Sequence, residues 1–165
     1  MVTALRDETR TTFEGRHYRL TDAPMEPKPT GPLPLLIGSS GPKRMAALVA
    51  PWADEWNTWG TPELFAEKGA HVTRALEESG RDPATLARST QALVFLGPDG
   101  AATAERFAAI RPAIGGTPAQ LVEAVGRYAD AGVDELIFPD FTFGGQSQAL
   151  ETIEQLAREV VDVVR

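Results

Sequence analysis

Residues 33–59 read LPLLIGSSGPKRMAALVAPWADEWNTW. The apolar residues Leu33, Leu35, Leu36 and Ile37 stop at Gly38-Ser39-Ser40-Gly41, and Pro42 then opens a helical pattern. A strand, a small-residue loop and a proline-started helix form a βα unit that presents bare backbone N–H groups to an anion. Small residues let a ligand approach the main chain, and the helix start adds unpaired donors and the positive end of its dipole. A second short strand, Glu55–Thr58, follows one helix later with a hydroxyl at its C-terminal end. If the two strands are parallel neighbours, Thr58 lies beside the loop. Gly38, Ser39, Ser40, Gly41 and Thr58 are then the candidate phosphate-binding residues. A plain tight turn uses the same residue types, so the pattern alone leaves both readings open.

Composition bounds what such a site serves. A chain of 165 residues is one domain by length, with enough surface to bury a sizeable core. Its 42% hydrophobic and 24% charged content are those of a globular protein, and a net charge of −7 argues against nucleic acid or an anionic membrane as partner. Without cysteine there is no disulfide framework and no thiolate metal site. No apolar run approaches the roughly 18 residues of a membrane span and no signal-peptide core is seen, so a cytoplasmic protein acting on a small molecule is expected.

Two periods alternate along the rest of the chain. Thr61-Pro62 caps a helix carrying Leu64, Phe65, Val72 and Leu76 to Gly80. Thr90–Leu96 reads as a buried strand, and Ala101–Ile110 as a short helix on Phe107 and Ile110. Thr117-Pro118-Ala119-Gln120 repeats the start signal for a helix with Leu121, Val125 and Tyr128, ending at Gly132. Val133–Pro139 is the fourth strand. A last helix over Ser147–Val164 is expected to bury Leu150, Ile153, Leu156, Val160 and Val164. Four strands alternating with four helices predict parallel pairing. A closed (β/α)8 barrel needs eight such units over typically ~250 residues, so four make an open sheet or half a barrel. Residues 1–32 form a lead-in, with a short helix near Ala4–Thr12, an extended Gly15–Leu20 and a Pro-rich connector. Residues 33–165 form the (β/α)4 unit.

Several linked pieces now carry a resemblance. Phe13-Glu14-Gly15-Arg16-His17-Tyr18 with Thr21-Asp22-Ala23-Pro24, Pro34–Lys43, Ala53-Asp54-Glu55-Trp56-Asn57, Gly80-Arg81-Asp82-Pro83, and Gly116-Thr117-Pro118 with Tyr128 and Gly132-Val133-Asp134-Glu135 stand in this order. Together they resemble the C-terminal half of the bacterial luciferase-like oxidoreductases. The resemblance implies an α/β fold: a parallel (β/α) half-barrel equivalent to strands five to eight of a luciferase-like TIM barrel. It also implies a flavin-type cofactor, F420 or FMN, and hydride transfer to or from an organic substrate, or monooxygenase chemistry. Carried over residue by residue, it makes Gly38, Ser39, Ser40 and Gly41 the cofactor's phosphate loop with Thr58 in support. The family's first four strands have no counterpart here. Half a barrel exposes two strand edges and an interior expected to be apolar, so a homodimer or an N-terminal half from elsewhere is the expected partner. The alternative is a non-catalytic half-barrel dimer or binding module. A flavodoxin-like open domain is a third reading, which the apolar Leu33–Ile37 and Leu136–Phe138 runs disfavour at the sheet edges.

Other groups have plainer readings. Trp52 is expected in the core, with Trp56 and Trp59 open between core and cofactor face. Lys43 and Arg44 either reach the anion or lie on a solvated helix face. His17 and His71 have no spaced partners, so no metal site is read. Asp54-Glu55 and Asp134-Glu135 stand at the N-terminal ends of strands, opposite the rim where barrels do chemistry, and read as structural contacts. Gly144-Gly145 is a rival anion loop that Asp140 opposes. No residue is assigned as a catalytic acid or base.

Overall fold

A computed structural model describes residues 1–40 and 45–164. Gly41, and with it Pro42, Lys43 and Arg44, lies outside the described residues. The chain divides into two compact units, Met1–Pro34 and Leu35–Arg165.

In the first unit, helix α1 (Val2–Asp7) precedes an antiparallel hairpin of β1 (Thr11–Glu14) and β2 (Arg19–Ala23). The helix stops short of its expected end at Thr12. Two β-branched threonines, Thr11 and Thr12, favour extended backbone, and Thr11 is buried in the hairpin. Lys28 Nζ donates to Leu5 O at 2.8 Å, and an Arg6 guanidinium N–H donates to Leu33 O at 2.9 Å. These bonds tie the connector to α1.

The second unit is built on four parallel strands in the order β3 (Leu36–Gly38), β4 (Glu55–Trp59), β5 (Ala87–Gln91) and β8 (Glu135–Ile137). Between β3 and β4 runs α2 (Ala46–Trp52), and α3 (Pro62–Glu78) joins β4 to β5. The expected strand over Leu33–Ile37 is reduced to three residues because Pro34 has no N–H for the ladder. The expected strand Thr90–Leu96 is two strands broken at Ala92, β5 and β6 (Leu93–Leu96). β6 leaves the main sheet to pair in parallel with β7 (Ala113–Gly116), a strand the periodicity did not foretell. α4 (Gly100–Phe107) joins β6 to β7, and α5 (Pro118–Asp130) leads to β8. α5 opens with the expected capping box of Thr117 and Gln120, and Thr61 Oγ1 accepts from Leu64 N at the start of α3. α6 (Gln146–Leu156) continues through a π-helical turn, Ala157–Val161, to the last turn, α7 (Asp162–Val164).

Two apolar clusters hold the unit. Val49 and Ala50 of α2, Trp56 of β4 and Phe65, Val72 and Leu76 of α3 form one, with Trp56 stacked on Phe65 at 5.0 Å. Ala92, Val94, Leu121, Tyr128, Leu156 and Val160 belong to the other. Each fully buried Val, Leu or Phe among them contributes about 1.5–3 kcal/mol. Three expectations fail here. Trp52 is 56% exposed, because the buried stripe of α2 is Ala46-Val49-Ala50 with Ala53 beyond, and position 52 falls off that face. Leu150, Ile153 and Val164 are also about half exposed, since the terminal helix packs on α5 chiefly through its π-helical turn rather than along its length. Nor is the sheet's inner face apolar. In the β4/β5/β8 register, Glu55, Asn57, Ser89, Gln91 and Glu135 share the face opposite the helices.

Candidate functional site

Parallel pairing of β3 with β4 sets Gly38 opposite Asn57, and Ser39 N donates to Asn57 O at 2.8 Å. The small-residue loop therefore leaves the sheet at the C-terminal end of β3, one residue from Thr58. Among the described residues, a Cβ built on Gly38 would meet nothing within 4 Å, so they leave open space beside this backbone. Ser39 Oγ accepts from Trp56 Nε1 at 3.0 Å, which orients the hydroxyl and leaves its proton to donate. Ser40 is exposed beside it.

Thr58 occupies the helix-facing side of β4 and is 3% exposed. Its hydroxyl donates to Trp59 O at 3.5 Å and accepts from Lys68 Nζ at 3.4 Å, while the same ammonium reaches Trp59 O at 3.2 Å. Beside it, Thr90 Oγ1 donates to Thr58 O at 2.6 Å, so the C-terminal end of β4 is fixed from two neighbours. At the same strand end, the Arg111 guanidinium carbon stands 5.5 Å from the ring centre of Trp59. Neither Lys68 nor Arg111 was singled out by sequence reasoning. Both are brought to β4 from other elements, which no local spacing encodes.

The inner face carries a hydrogen-bonded chain. Gln91 Nε2 donates to Asn57 Oδ1 at 3.1 Å, Asn57 Nδ2 donates to Ser89 Oγ at 2.8 Å, and Ser89 Oγ donates to a Glu55 carboxylate oxygen. Ser89 is wholly buried and Asn57 nearly so. The alternation Ser89-x-Gln91 against Glu55-x-Asn57 was the available signal: polar residues at period two on paired strands share one face.

The two aspartates play matching parts at the opposite end. Asp54 Oδ2 accepts from Leu35 N at 2.7 Å, just before β3, and Asp134 Oδ2 accepts from Arg88 N at 2.8 Å in β5. Each anchors the strand next to its own, as the structural reading of these pairs required. Arg88 extends to the helix side, where its guanidinium donates to Thr73 Oγ1 at 2.8 Å. Burial pushes its pKa below the ordinary value, and Asp134 pulls it back. Trp56 belongs to the core and Trp59 to the inner face. His17 is exposed in the hairpin turn, and His71 lies half-buried on α3. Among the described residues no cluster of His, Cys, Asp and Glu has metal-binding geometry. No helix among them is long and apolar enough to cross a membrane. The rival loop places Gly145 at the start of α6, with Asp140 in the preceding short 3-10 turn.

Comparison with known proteins agrees with this fold. An F420-dependent secondary alcohol dehydrogenase, solved with an F420–acetone adduct, superposes on 99% of this chain and 58% of its own with a TM-score of 0.78 at 17% identity. An F420-dependent tetrahydromethanopterin reductase from Methanopyrus kandleri superposes on 99% and 61% with a TM-score of 0.80 at 13% identity. At these identities the likeness is one of fold: the chain shares the parallel (β/α) arrangement of about three-fifths of those TIM-barrel proteins. An F420-dependent hydroxymycolic acid dehydrogenase of Mycobacterium tuberculosis is 28% identical over 93 residues, 56% of this chain and 26% of that protein. The chain thus spans about a quarter of this curated relative and about three-fifths of the two solved structures. The profile of the luciferase-like monooxygenases matches residues 1–130, and by that match this chain belongs to the luciferase-like monooxygenase family.

Proposed function

We propose that the second unit holds the phosphate of a flavin-type cofactor, F420 or FMN, for an oxidoreductase acting on an organic substrate. The observation that carries this reading is the loop after β3: among the described residues Gly38 borders open space, and Ser39 is oriented by Trp56 beside exposed Ser40. The phosphate would rest on Gly38, Ser39 and Ser40; Gly41, the fourth residue of the motif, lies outside the described residues. Ser39 contributes its hydroxyl, because its N–H is already spent on Asn57 O. Thr58 acts from behind, where its hydroxyl helps to seat the Lys68 ammonium. When bound, such a cofactor supplies the hydride or oxygen chemistry. The chain's own groups orient it and exclude water.

Substitution of Ser40 by Asp puts a negative charge on the loop. FMN titrated by fluorescence quenching is expected to bind this variant at least tenfold more weakly, as losing a charge-assisted contact of about 1.5–3 kcal/mol implies. Riboflavin, which lacks the phosphate, is expected to bind both proteins alike. Equal FMN affinity in the two proteins would sink the assignment. F420 titrated in parallel separates the two cofactors. We further propose that the open edges of β3 and β8 are completed by a second copy or by a complementary (β/α) segment. A non-catalytic half-barrel remains the outcome if neither cofactor binds the folded protein.

A further inference from the structure

We infer that Trp59 and Arg111, with Lys68 behind them, bind the oxyanion of an organic substrate at the end of β4. Use of this site by the oxidoreductase rests on the reading above; the binding itself does not. Trp59 closes β4 on the inner face, in register with Gln91 and one strand from the cofactor loop. Arg111 lies immediately ahead of β7 and holds its guanidinium 5.5 Å from the centre of the indole ring. A guanidinium held over an aromatic face keeps its N–H donors in its own plane, where they form a fork matching a carboxylate or a phosphate. Among the described residues only Nη1 is engaged, by a long 3.4 Å bond to Ile110 O.

Lys68 puts a second cation at the same strand end. Its two bonds, 3.2 and 3.4 Å, go to the neutral acceptors Trp59 O and Thr58 Oγ1, and its third donor has no acceptor among the described residues. Among the described residues no carboxylate stands within ion-pair distance of either cation. With no carboxylate to displace, an organic anion can approach the Arg111 fork directly, and the Lys68 charge behind it adds to the attraction. The ring and the fork together select an organic anion over a bare inorganic one, because the ligand's apolar part packs beside the indole.

The three indole N–H resonances of the 15N-labelled chain report on the site, with the Trp59 peak assigned from W59F. Benzoate, phenyl phosphate and benzyl alcohol are the probes, at constant ionic strength. A saturable shift of the Trp59 peak is expected with one or both anions, and the stronger of the two identifies the oxyanion class. R111Q is expected to weaken that binding about tenfold, with K68M giving a smaller loss, while peak dispersion confirms both variants are folded. An equal response to benzyl alcohol, an unchanged response in folded R111Q, or no saturable shift overturns the inference. In the Ser40→Asp variant the benzoate response is expected to persist as FMN binding falls. The two readings therefore fail separately.

Discussion

Tyr128 shows how one side chain couples helix α5 to the candidate site. It is 2% exposed, and its hydroxyl donates to Gly60 O at 3.1 Å, directly after β4. Burial, with a smaller push from Glu63, raises its pKa to about 12 from 10.0. The folded state therefore favours the protonated phenol. The stability this gives is whole below about pH 10 and is lost as the pH climbs toward about 12, by on the order of 2 kcal/mol. Chemical denaturation of the wild type and Tyr128→Phe between pH 8 and 12 should show their stability gap closing over that window. A constant gap would refute the coupling. Residues of this kind were partly legible beforehand. Spacing on α5 marked Tyr128 as inward-facing, while its partner Gly60 is 68 positions away and no local pattern names it.

At the scale of elements, the unforeseen pair β6–β7 rests on two glycines. A Cβ on Gly100, at the start of α4, would fall 2.0 Å from Phe95 O and 2.6 Å from Gly116 N, and one on Gly115 of β7 would fall 2.1 Å from Gly100 O. Helix and strand meet here backbone to backbone, which only glycine permits. Gly100→Ala is expected to cost at least about 2–3 kcal/mol in urea melts, the upper range of overpacking. A loss under half a kilocalorie would show that α4 shifts freely. The helices were legible from caps and apolar spacing: Thr61-Pro62 and Thr117-Pro118-Ala119-Gln120 start where they were expected. β7 was not, because Ala113-Ile114-Gly115-Gly116 has no alternation and a single β-branched residue, Ile114, followed by two glycines that read as a loop. Its strand character comes from pairing with β6.

At the scale of the molecule, the four-strand sheet ends on β3 and β8, each paired on one side only among the described residues. Open edges favour association. If a second copy completes the sheet, light scattering is expected to give a mass near twice 17.7 kDa. Two copies closing face to face would set Glu55 and Glu135 against the same residues, so added salt should strengthen the dimer by screening them. A monomer at every concentration and ionic strength would eliminate the second-copy reading. By itself the sequence determined the alternation of strands and helices, the capped helix starts, the parallel class and the small residues 38–40 at the end of β3. These rest on local periodicity and backbone preferences, which neighbouring residues encode. Only the tertiary structure decided that Trp52 faces outward, that a polar chain from Gln91 to Glu55 runs on the inner face, and that Lys68 reaches the Trp59 carbonyl while Arg111 stands over its ring. Each depends on which strands become neighbours and in what register, and a one-residue change of register would send every such side chain to the other face.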